Sequence, residues 1–86
     1  MVGVLRVSKD VIENELKTLN YELETAGSKF RYSWHTAYGR PHLKVCHVEN
    51  FKKEYQQCSV ILDEVPFTTR HDLLNAIKMI RYAIKR

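Results

Sequence analysis

The chain has 86 residues, 44% of them hydrophobic and 28% charged, with a net charge of +4. That is enough for one small domain with one core, and too little for a catalytic cleft between two domains. The composition is that of a folded globular protein, which excludes a disordered or fibrous chain.

Chain order begins with MVGVLRV, in which Val2 to Val7 read as a further edge strand. Ser8, ahead of Lys9 and Asp10, has the character of a helix N-cap. Ile12, Leu16, Leu19 and Leu23 then recur on one helical face up to Gly27, so a helix is predicted from Ser8 to Ala26. Glu13 and Lys17 sit four apart in the favourable order on its outer side.

From Lys29 the hydrophobic period becomes two. Phe30, Tyr32 and Trp34 fall on one face of a strand, with Arg31, Ser33 and His35 on the other. Gly39-Arg40-Pro41 is read as the turn, and His42 to Val48 as the returning strand. A polar connection from Glu49 to Gln57 leads to a third predicted strand, Cys58 to Val65, which Pro66 ends. Thr69-Arg70-His71-Asp72 has the spacing of a capping box, and Leu73, Ile77, Ile80 and Ile84 repeat the helical stripe to the C-terminal end. The fold class is α+β: a two-layer domain with a three-stranded antiparallel sheet and two helices on one face, in the order α-β-β-β-α.

Two amphipathic helices need an apolar surface, and Phe30, Tyr32 and Trp34 supply the most apolar sheet face. These rings are therefore assigned to the core, with Tyr38 exposed beside the turn. The opposite face then presents Arg31, Ser33, His35 and Lys44 to solvent. On the last helix Lys78, Arg81 and Lys85 form one basic stripe, while Met79 and Tyr82 point away from the core. Charge is divided unevenly. Residues 1–27 hold three cations and five carboxylates, net −2, and the remainder hold eleven and five, net +6.

Chemistry is sparse. No phosphate-binding glycine loop occurs. Cys46 and His47 are adjacent on a strand and diverge, so a zinc site is not predicted; the same divergence separates Asp63 from Glu64. No cofactor is called for. With no Cys-x-x-Cys pair, Cys46 and Cys58 read as free thiols in a reducing, cytoplasmic setting, and no apolar run is long enough to span a bilayer.

The element order, through to the helix that opens after Thr68-Thr69-Arg70-His71-Asp72, resembles the double-stranded RNA-binding domain and the small ribonuclease toxins built on that fold. That likeness implies RNA as a partner. The stretch ETAGSKFRYSWHTAYGRPHLKV, Glu24 to Val45, is similar to small proteins encoded by bacteriophages and prophages. It implies an accessory protein that binds a host or viral component and has no catalytic residues.

Three functions follow in order. The first is a non-enzymatic binding protein acting on a protein partner or on itself, through the open sheet face, Tyr38, Met79 and Tyr82. The second is nucleic-acid binding through Arg31, Arg40, Lys44, Lys78, Arg81 and Lys85. The third is a small endoribonuclease using His35 or His42 as acid or base.

Overall fold

The computed structural model describes residues 8–84. Helix α1 spans Lys9–Thr25. Ser8 caps it, its Oγ accepting from the Val11 amide at 3.2 Å. The helix stops at a Schellman turn. Gly27, at φ +74°, lets the Ser28 and Gly27 amides reach back to the carbonyls of Leu23 and Glu24.

Strands β1 (Phe30–Ala37) and β2 (Arg40–His47) pair antiparallel in a register that sets Trp34 opposite Leu43 and Ser33 opposite Lys44. The turn between them is Tyr38-Gly39, not Gly39-Arg40-Pro41. Both turn residues have positive φ, 55° and 77°, the two-residue geometry whose twist matches the strands. Pro41 therefore lies inside β2, where its carbonyl accepts from the Phe67 amide.

After a short 3-10 turn at Val48–Asn50, strands β3 (Phe51–Lys52) and β4 (Gln57–Cys58) form a small separate ladder. Strand β5 (Asp63–Pro66) then pairs with β2, giving the order β1-β2-β5. The third strand of the sheet is thus Asp63–Pro66 and not Cys58–Val65. The predicted strand is divided, its first residue serving the small ladder, and Val60, Ile61 and Leu62 are exposed between the two pieces. Helix α2 spans Arg70–Ile84. The predicted Val2 to Val7 strand lies outside the described residues.

Both helices pack on one face of the three-stranded sheet. Ile12, Leu16, Leu19 and Leu23 from α1 meet Leu73 and Ile77 from α2 over Leu43 and Phe67, with Tyr32 and Trp34 half-buried against them. Each fully buried aliphatic side chain contributes about 1.5–3 kcal/mol. Phe30 departs from the predicted core. It stands at the end of β1 beyond the main packing, 44% exposed, stacked on His47 at 5.5 Å.

The start of α2 is closed by the predicted box. The Asp72 amide donates to Thr69 Oγ1 at 3.1 Å, and the Thr68 and Thr69 amides donate to Asp72 Oδ2. Those two backbone donors hold the Asp72 carboxyl below its ordinary value. Its stabilising effect is therefore full above the unfolded value, near pH 4, and is lost as pH falls through the lower folded value. Thr69→Ala is expected to cost about 1 kcal/mol in urea unfolding at neutral pH. Asp72→Asn should flatten the acid limb of the stability profile.

Candidate functional site

Two surfaces decide what this domain can contact. The first is the sheet face turned away from the helices. It carries Arg31, Ser33 and His35 from β1 and His42, Lys44 and Cys46 from β2, as strand alternation requires. It is not open. The segment from Val48 to Leu62 folds back over it as an arm, and Arg31 is 9% exposed, Lys44 6%, and Ser33 buried.

Three contacts fasten the arm. Ser33 Oγ donates to the Gln56 carbonyl at 2.6 Å, and Lys44 Nζ approaches Gln57 Oε1 at 3.5 Å. Cys46 and Cys58 form a buried disulfide, with Cα atoms 5.8 Å apart. The cysteines are therefore not free thiols. They do not titrate and offer no nucleophile.

At the hairpin end the arm stops short. There His35 Nε2 donates to Glu64 Oε1 at 2.7 Å, and the His42 ring lies edge-on to His35 at 5.8 Å. His42 Nδ1 is 3.1 Å from the Arg40 carbonyl, which fixes it as the donor nitrogen. Neither histidine lines any of the four recesses between helices, sheet and arm. Among the described residues no group of three or more His, Cys, Asp or Glu side chains is placed to hold a metal ion.

The second surface flanks the later turns of α2. A furrow of 540 Å³ runs between the C-terminal ends of the two helices over Phe30 and Tyr32, bordered by Met79, Ile80 and Ala83. A further depression, sharing Tyr32 and Ile80, continues to Val45 and Val65 beside β5. Met79 is 68% exposed and Val65 53%. Burial and the nearby Asp63 carboxylate push the Tyr32 phenol above its ordinary value, so it stays neutral at the base of these grooves.

Particular groups on the sheet edges are capped by side chains. On the outer edge of β1, Asn20 from α1 takes the place of a neighbouring strand: its Oδ1 accepts from the Tyr32 amide and its Nδ2 donates to the Tyr32 carbonyl, both at 2.8 Å. On β5 the Glu64 amide is taken by Asp63 Oδ1 at 2.9 Å, and Pro66 has no N–H to offer. Those backbone groups are unavailable to a pairing strand.

The residues singled out in the sequence are dispersed. Met79 and Tyr82 stand one turn apart on exposed α2, whereas Tyr38, 98% exposed, caps the far end of the hairpin. Arg31 and Lys44 lie under the arm, Arg81 Nε is bound to Glu22 Oε1 at 2.6 Å, and Arg40 and Lys78 are exposed on different elements. Lys85 lies outside the described residues. Asn20, Phe30, Gln56 and Val65 were missed. Asn20 had a legible signal, because it interrupts the buried stripe of α1 with a polar residue between Leu19 and Leu23.

No family model matches the chain, and no curated protein or solved structure matches it.

Proposed function

We propose that this domain is a non-enzymatic binding protein that works by protein–protein contact, and that the contact surface is the apolar side of α2 and β5. The observation that carries this reading is the continuous exposure of Phe30, Val65 and Met79 around grooves whose floor is Tyr32 and Val45. Exposed apolar surface of this extent on a domain so small is the usual mark of an interaction site.

The occupant we assign is a second copy of the chain. Asp10 and Glu13 are exposed on α1, while Lys78 is exposed beside Met79 on α2. A two-fold arrangement sets the acidic helix of each copy against the basic helix of the other, around an apolar centre.

Met79→Glu puts a charge at the centre of the contact. It is expected to raise the dimer dissociation constant at least tenfold in sedimentation equilibrium, with unchanged far-ultraviolet circular dichroism. A wild-type chain that stays monomeric into the high micromolar range would sink the assignment.

The phosphate-binding reading has less support, since Arg31 and Lys44 are enclosed and Arg81 is paired. Ribonuclease action would rest on His35 or His42, neither of which lines the recesses described above. A cytoplasmic location rested on free thiols; a buried disulfide fits an oxidising compartment better.

A further inference from the structure

Beside β1, between α1 and the arm, lies a recess of 260 Å³ into which Arg31 faces. Arg31 is nine-tenths buried. Its Nη1 donates to the carbonyls of Ser28 and Phe30 at 2.8 and 2.7 Å, but among the described residues Nε and Nη2 have no acceptor and no carboxylate is within ion-pair distance. Among the described residues no fully buried side-chain nitrogen or oxygen lacks a partner, so these two nitrogens open onto the recess. Three of the five guanidinium N–H donors are thus turned to a cavity, an arrangement matched to an incoming anion.

The surroundings agree. Lys17 and Lys53 border the recess, and its one carboxylate, Glu24, is already held by Lys53 Nζ at 3.5 Å. The site therefore carries three cations and one anion. Its walls are largely apolar, formed by Phe51 and Val48, while the amides of Asn20 and Gln56 are tied to each other at 3.3 Å at its base. The Asn20 clamp fixes the α1 side and the disulfide fixes the arm, so the recess is preformed.

We propose that this recess binds a small organic anion, a carboxylate or phosphate monoester on a short apolar body, with the charge on Arg31 and the body against Phe51 and Val48. The volume is just under the range of about 300–1,000 Å³ typical of sites for larger ligands, which limits the occupant to the size of a single-ring acid. This site lies on the opposite side of α1 from the groove assigned to the second copy, and stands independently of that assignment.

The test is a titration of the isotopically labelled full chain, followed by nuclear magnetic resonance, with phenyl phosphate, benzoate, inorganic phosphate and the neutral benzyl alcohol. The expected result is saturable movement of the Arg31 Nε–Hε signal and the Asn20 and Gln56 side-chain amides. It should occur with phenyl phosphate or benzoate, be about tenfold weaker with inorganic phosphate, and be absent with benzyl alcohol. Whichever of the two organic anions binds more tightly identifies the charged group. Arg31→Gln should weaken binding at least tenfold. Lys53→Gln, at the exposed rim, should weaken it a few-fold with the spectrum of the fold intact, and so serves if the Arg31 variant does not fold. No saturable shift of these signals in the unmodified protein at millimolar ligand, or binding indifferent to Lys53→Gln, would overturn the proposal.

Discussion

Cys58→Ser is expected to lower the unfolding free energy by about 3 kcal/mol relative to the oxidised protein, from the chain entropy released when a loop of this length is opened. The bond joins Cys46 in β2 to Cys58 in β4, twelve residues on. Without it the arm, whose own two-residue ladder and Ser59–Asn50 bond are internal to it, is held to the sheet by a few hydrogen bonds, among them Ser33 to Gln56 and Lys44 to Gln57. Too little ordered contact then remains to offset the entropy of fixing the segment. The arm should loosen before the sheet does, and Arg31, Ser33 and Lys44 should gain solvent. Urea unfolding with and without a reductant measures the effect directly. Equal midpoints would mean that the two sulfurs are not joined in solution.

Asn20→Leu carries the second large effect. The side chain fits the apolar stripe of α1, yet it strips the Tyr32 amide and carbonyl of the Asn20 partners that, among the described residues, they have on that side of β1. Each enclosed backbone group left unsatisfied costs about 1–3 kcal/mol, so a loss of about 3 kcal/mol is expected. Asn20→Asp separates the two bonds, since a carboxylate still accepts from the Tyr32 amide but no longer donates to its carbonyl. It should fall between wild type and Asn20→Leu in thermal unfolding. If the leucine variant is as stable as the parent, the clamp is incidental. The same variant should uncover a β1 edge capable of pairing with another chain, seen as aggregation on heating.

The helices were legible because their signals are local and redundant. In α1 a serine cap, a four-leucine-type stripe and a terminal glycine agree, and in α2 the Thr69–Asp72 box precedes an equally clear stripe. The alternation of faces along β1 was legible from its period of two, and Tyr32 and Trp34 do face the helices. The turn was misplaced because Gly39 sits second in it, where a tyrosine precedes it at positive φ, a conformation that bulky residues seldom adopt.

The polar face was harder to foresee. Alternation shows that Arg31, Ser33 and Lys44 share a side, but not that a later segment covers it. That cover comes from contacts 13 to 27 residues apart in sequence, such as Lys44 with Gln57 and Ser33 with Gln56, and the spacing of two lone cysteines does not say whether they are joined. Val60-Ile61-Leu62 misled for the opposite reason. A short apolar run is usually buried, yet here it crosses from arm to edge strand and remains exposed.

On the function proposed here, the apolar side of α2 and β5, and not the basic or histidine-bearing surfaces, makes the contact. A concentration series of methyl and amide resonance spectra on the intact chain tests it most directly. Saturable shifts are expected at Phe30, Val65, Met79, Ile80 and Tyr82 as concentration rises, with Tyr38, Arg40 and His35 unmoved. Shifts confined to the hairpin tip, or none at any accessible concentration, would contradict it.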